Sequence, residues 1–108
     1  MIPEITPSEL DAWRKDAARA APYVLDVREP WEFETARLPE TTLIPMREIP
    51  ARLSELPGDR DLVLMCHHGT RSAHAAQWLA RNGFTRVHNL AGGIDAWSRT
   101  VDAAVPRY

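Results

Sequence analysis

Cysteine is almost absent from this chain: 108 residues contain one, Cys66. A single thiol excludes an internal disulfide framework and any multi-cysteine zinc site, and a free thiol suits a reducing compartment. Lysine is equally scarce, with Lys15 alone among thirteen basic residues. Neither sign of charge dominates. Fifteen acidic residues leave a net charge of −2, too balanced for a nucleic-acid footprint. No run approaches the roughly eighteen apolar residues that a membrane span needs. The opening "MIPEITPSELDAW" has neither the basic nor the apolar region of a secretory signal. These absences point to a cytoplasmic protein with no nucleic-acid or membrane partner. The length suits one domain, residues 1–108, able to bury roughly 65% of its unfolded surface.

What is present alternates. "ITPSEL" reads as a helix start, with Thr6 as N-cap, Pro7 in the first turn and Glu9 closing a capping box, while Ile5 and Leu10 are placed for a hydrophobic staple. "YVLDV" reads as a buried strand, and "EPWEFETARLP" as a helix opened by Pro30 and ended by Pro39. "TTLIP" is a short β-prone piece. "REIPARLSELPG" spaces Ile49, Leu53 and Leu56 as a helix does. "DLVLMC" is a continuous apolar strand, "RSAHAAQWLARNG" a helix stopped by Asn82 and Gly83, and "RVHNL" a further strand. "GGIDAWSRT" reads as a glycine-led helix, and "VDAAVPRY" as an extended tail. Strands that are apolar throughout, alternating with helices, indicate an α/β fold with a central parallel sheet and helices on both faces. Ligands of such sheets bind beyond the carboxyl ends of the strands, where Cys66 lies.

The loop Cys66-His67-His68-Gly69-Thr70-Arg71 joins that strand to a helix starting near Arg71 or Ser72. Four effects there favour thiolate over thiol. The first helical turn leaves backbone N–H groups unpaired. The macrodipole places about half a positive charge at that end. A tight loop eased by Gly69 can form an anion-binding nest of its own N–H groups. Arg71 adds a permanent positive charge. A fall of roughly two units from the ordinary thiol value of about 8.5 makes thiolate the major form at neutral pH, at about 2.7 kcal/mol of differential stabilisation. A lone cysteine ending an apolar strand is also read as a small buried hydrophobe, and the glycine, the arginine and the helix start tip the balance toward chemistry. His67 and His68, each partly protonated near pH 7, are candidates to assist anion binding or tune the thiol. Cys66, His67, His68 and His74 meet no metal-ligand spacing, so no metal site is expected.

Four stretches resemble the rhodanese domain, a sulfurtransferase family. Cys66-His67-His68-Gly69-Thr70-Arg71-Ser72 matches the signature Cys-x-x-Gly-x-Arg-Ser. "LDVREPWEF" resembles the family's Asp-Val-Arg-Glu segment, "ARLPETTLIP" its Gly-His-Ile-Pro-Gly-Ala…Ile-Pro segment, and "LAGGIDAW" its Gly-Gly-x-x-x-Trp segment. They occur in family order over nearly the whole chain. Ala36, Arg37 and Glu40 depart from the second pattern, which alters loop shape and surface charge. The resemblance implies a rhodanese fold and a catalytic Cys66 that accepts a sulfane sulfur as a persulfide. The donor is a small sulfur compound such as thiosulfate or a persulfide, and the acceptor a thiol, a protein or cyanide. It implies no cofactor and no metal. His67, His68, Gly69, Thr70, Arg71 and Ser72 become the substrate-binding loop. Arg28, beyond a strand's carboxyl end, joins the candidate substrate-binding set, while Asp26 and Glu29 read as ion-paired structural residues. Trp31 and Phe33 read as core or pocket wall.

Three other functions compete. Cysteine phosphatases on related folds place five residues between cysteine and arginine. Here there are four, His67 to Thr70, a ring better sized for one sulfur than for a phosphoryl group. A non-catalytic regulatory or docking module has no need of an intact cysteine loop. A thiol redox sensor would require an external resolving thiol, since the chain holds no second cysteine.

Overall fold

A computed structural model describes residues 2–108. Five parallel strands form one sheet in the order β1-β5-β4-β2-β3: β1 Glu4–Ile5, β2 Tyr23–Asp26, β3 Thr41–Leu43, β4 Leu62–Met65 and β5 Val87–Leu90. Four α-helices surround it: α1 Pro7–Lys15, α2 Pro30–Thr35, α3 Thr70–Arg81 and α4 Gly93–Thr100. Val24 pairs with Val63, and Leu25 with Leu64, in the central β2–β4 register. Because side chains alternate across a sheet, these two pairs feed opposite faces. Leu25 and Leu64 pack with Ala75, Ala76 and Leu79 of α3 and with Ile49 and Leu56. Val24 and Val63 pack with Leu10 and Trp13 of α1 and with Ile94 and Trp97 of α4. β4 is apolar throughout, and β2 up to Asp26 at its carboxyl end, because both of their faces are covered.

The capping box opens α1 as expected. Glu9 N–H donates to Thr6 Oγ1 at 3.1 Å, and Thr6 N–H to Glu9 Oε1 at 2.8 Å. Three expectations change. Glu4–Ile5, read only as the approach to α1, pairs with Asn89 and Leu90 as an edge strand, held there by backbone bonds of the β1–β5 edge rather than by a local apolar run. "REIPARLSELPG" forms a 3-10 segment, Met46–Glu55, rather than an α-helix. Pro50 inside it has no N–H to donate, and Arg52 at φ −122°, ψ 21° breaks the path, so the apolar spacing survives without the i→i−4 ladder. The tail, read as extended, turns at 103–105 and packs on its own domain: Val105 is buried with Trp97 and Ile94, and Tyr108 returns to the carboxyl ends of the strands. No helix among the described residues is long and apolar enough to cross a membrane.

Candidate active site

Cys66 follows the last residue of β4 and is 1% exposed. The loop turns through Gly69, whose φ of 105° is the left-handed conformation that favours glycine, and Gly69 then caps α3. This turn folds the chain back on the sulfur. Gly69 N–H donates to Cys66 Sγ at 3.1 Å and Ser72 N–H at 3.4 Å, while Ser72 Oγ lies 3.3 Å away. Two backbone donors at the positive end of a twelve-residue helix thus converge on one sulfur atom, an arrangement that stabilises negative charge there.

A second helix start holds the loop from the other side. Ile94 N–H donates to the Cys66 carbonyl at 2.9 Å and Asp95 N–H to the His67 carbonyl at 3.1 Å. The loop carbonyls thereby satisfy the unpaired amides of α4. The approach is so close that a Cβ on Gly93 would meet the Cys66 carbonyl oxygen and lie 2.5 Å from that of His67. Gly93 also has a φ of 60°. Gly93 of "LAGGIDAW" is thus a steric requirement of the cysteine loop, while a Cβ on Gly92 would meet Ala96 of α4.

Arg71 points across the site to Glu32 of α2. Its two terminal nitrogens donate to the two carboxylate oxygens at 2.7 and 2.9 Å. This pairing holds Glu32 at a pKa of about 2 against the opposing effect of burial, with further bonds from the Glu29 N–H and the Tyr108 hydroxyl. The same bond to Glu32 raises Arg71 above its ordinary value, and the Cys66 charge adds to the rise. Arg71 therefore supplies charge near the sulfur, with one N–H of each terminal nitrogen committed to Glu32.

Arg28 is placed differently from the expectation. It is fully buried, and its guanidinium donates to Asp26 (2.6 Å from Nη2), to the Glu32 and Ala36 carbonyls and to the Tyr108 hydroxyl. With no donor free and no exposed surface, it braces α2 against the sheet rather than binding substrate. Its Asp26 partner and the Glu29–Arg47 ion pair fit the structural reading of both carboxylates. Trp31 is not core, being 60% exposed and edge-on to Tyr108.

The mouth of the loop is aromatic. His67 stacks between His68 and Tyr108, with ring centroids 3.9 Å apart on each side. Burial first, and His68 second, hold His67 below its ordinary value. Thr70 and His68 are exposed at the rim, and His74 lies outside on the surface of α3. Tyr108 donates from its hydroxyl to Glu32 Oε2 at 2.7 Å and accepts from Arg28 at 2.9 Å. Burial is the main cause that pushes its phenol up to about 12.

His67, His68 and Asp95 bring their ligand atoms within 4.8 Å of one another. They fit a cation poorly. Both Asp95 oxygens accept from arginines, Arg99 and Arg107, at 3.0 Å, and the imidazoles stack face to face instead of converging. Glu32, Asn89, Tyr108 and Glu4 complete the site and escaped the sequence reading. Glu32 sits inside the motif "LDVREPWEF" and Asn89 inside the strand "RVHNL", but nothing local marks Tyr108 or Glu4.

The rhodanese-like domain model matches residues 6–100. The chain belongs to the rhodanese-like family. It is 45% identical over 76 residues to a sulfurtransferase of Allochromatium vinosum, covering 70% of this chain and 71% of that protein. It is 32% identical to the thiosulfate sulfurtransferase GlpE of Pseudomonas syringae pv. syringae, over 89% of this chain and 87% of that one. A rhodanese-related protein of known structure from Thermoplasma volcanium superposes with a TM-score of 0.82 at 30% identity, covering 92% and 93% of the two chains. Several other curated relatives are longer, and the chain spans less than two thirds of their length. Sulfurtransferases recur among these relatives, which supports a role of that general class for the chain.

Proposed function

We propose that Cys66 carries a sulfane sulfur between a small donor, thiosulfate or a persulfide, and an acceptor that is a thiol in the cell or cyanide in an assay. The observation that carries this reading is the pair of backbone N–H groups, Gly69 and Ser72, converging on the only sulfhydryl of the chain. The Cys66 thiolate attacks the outer sulfur of thiosulfate. The S–S bond of the donor breaks, and sulfite leaves with its electron pair. The negative charge moves to the terminal sulfur of the new Cys66 persulfide. An acceptor thiolate then attacks that terminal sulfur, takes it as its own persulfide and returns Cys66 as thiolate; cyanide takes it as thiocyanate. The covalent intermediate divides one transfer into two steps, and preorganised N–H donors meet the charge without rearranging. His67 and His68 at the mouth, with Thr70 on the rim, are the side chains an entering donor meets, while Arg71, paired with Glu32, supplies positive charge beside the loop.

The test is intact mass before and after thiosulfate. A gain of one sulfur atom, removed by cyanide and absent from Cys66→Ser, is expected. Retained cyanide-dependent turnover in Cys66→Ser would refute Cys66 as the carrier. An alkylatable Cys66 that gains no sulfur from thiosulfate or from a low-molecular-weight persulfide would refute sulfur transfer itself.

A further inference from the structure

Asn89, in β5, is 1% exposed and contacts the cysteine loop with one end of its amide. Its nitrogen donates to the Gly69 carbonyl at 3.1 Å and to Glu4 Oε2 at 3.0 Å. Both partners are acceptor oxygens, so the amide is fixed in this sense: reversed, its oxygen would face two oxygens. Asn89 Oδ1 therefore faces Ser72 Oγ, 2.6 Å away, and can only accept. Ser72 is fully buried and has one hydroxyl hydrogen. That hydrogen has two acceptors within reach, Asn89 Oδ1 at 2.6 Å and Cys66 Sγ at 3.3 Å. The separation to Asn89 is at the short end for a hydroxyl hydrogen bond, which places the hydrogen there.

We propose that Asn89 is a positioning residue that withholds the Ser72 hydroxyl hydrogen from the Cys66 thiolate. The charge on sulfur then rests on the Gly69 and Ser72 amides, and the Ser72 hydroxyl gives the sulfur no hydrogen. A thiolate is a better nucleophile when it is more basic. Keeping one donor off the sulfur preserves its reactivity while the backbone cradle still holds it in place. Glu4 extends the device to the sheet edge: it orients the amide that directs the hydroxyl. The inference rests on the reading of Cys66 as the nucleophile, but it concerns the thiol alone and not its sulfur cargo.

The pH profile of iodoacetamide alkylation tests it in the full chain, where one cysteine makes the signal unambiguous. Four proteins are compared: the parent, Ser72→Ala, Asn89→Ala and the double variant. Ser72→Ala alone is expected to move the alkylation midpoint by less than about 0.3 pH unit, because the sulfur loses no donor. Asn89→Ala frees the hydroxyl and is expected to lower the midpoint by about one unit, the size of one hydrogen bond to a charged group. Adding Ser72→Ala to Asn89→Ala then raises it by about the same amount. Equal effects of Ser72→Ala with and without Asn89 would overturn the proposal, since a purely structural asparagine gives additive shifts. Where Asn89→Ala fails to fold by circular dichroism, Ser72→Ala alone decides: an unmoved midpoint supports the proposal, and a rise of about one unit overturns it by showing the hydroxyl already on sulfur. Sulfur loading is read by mass in the same samples, so loss of this inference and loss of the sulfur-transfer reading are separate outcomes.

Discussion

Replacing Glu32 with glutamine tests how the site loop is tied to the rest of the fold. The carboxylate, 3% exposed, accepts from both terminal nitrogens of Arg71, from the Tyr108 hydroxyl and from the Glu29 N–H. Its pKa falls from the ordinary 4.5 to about 2, chiefly through Arg71. The folded value lies below the unfolded one. The stability it contributes is therefore complete above about pH 4.5 and is lost as pH falls toward 2. A gap of that size corresponds to a ceiling of about 3 kcal/mol at roughly 1.4 kcal/mol per pH unit. The Arg71 side chain is 37% exposed, so water screens the pair. About 2 kcal/mol is the realistic contribution. Glutamine keeps the shape and some hydrogen bonds but carries no charge. Urea unfolding of the parent and Glu32→Gln at about pH 7, 5.5, 4 and 3 is the assay. The parent should exceed the variant by about 2 kcal/mol at the two higher values, with less than half of that difference left near pH 3. A difference that is the same near pH 3 as near pH 7 would refute the argument, because it would show that shape, not charge, makes the contribution.

Two further substitutions probe the frame around the sulfur. Gly93→Ala places a methyl group against the Cys66 and His67 carbonyls at a φ of 60°, and should cost about 2–4 kcal/mol while changing the alkylation rate of Cys66; a thermal midpoint and alkylation rate both equal to the parent's would show that the loop does not depend on this contact. Asp26→Asn leaves the fully buried Arg28 without its counter-charge and should destabilise the protein by about 3–5 kcal/mol in urea unfolding, a loss under about 1 kcal/mol being the contrary result.

Much of the fold is legible because its signals are local. Continuous apolar runs at "YVLD" and "LVLM" require cover on both faces, which makes the parallel, two-sided sheet readable before any contact is known. The capping box at Thr6 and Glu9 is likewise a four-residue affair. Where two local signals conflict, the reading fails. In Met46–Glu55 the apolar spacing favoured an α-helix, and Pro50 decided for a 3-10 path. β1 carries too few residues to declare itself, and exists because β5 offers it an edge.

The sequence by itself determined that one thiol stands at a strand-to-helix turn, with glycine where the chain must bend and an arginine close by. Those properties depend on residues within a few positions of one another. What Arg71 and Arg28 do was decided by tertiary structure. Arg71 meets Glu32, 39 positions away, and Arg28 meets the Tyr108 hydroxyl, 80 positions away, so charge that looked available is already matched or buried. The Ser72 hydroxyl follows the same rule. Its partner, Asn89, is oriented by Glu4 of the adjoining edge strand, 85 positions from it in the chain. Hydrogen-bond donors are directional and can each be committed once, and which acceptor claims them depends on distances of a few tenths of an ångström. Periodicity and motif spacing carry no such distances; they exist only once the strands have aligned.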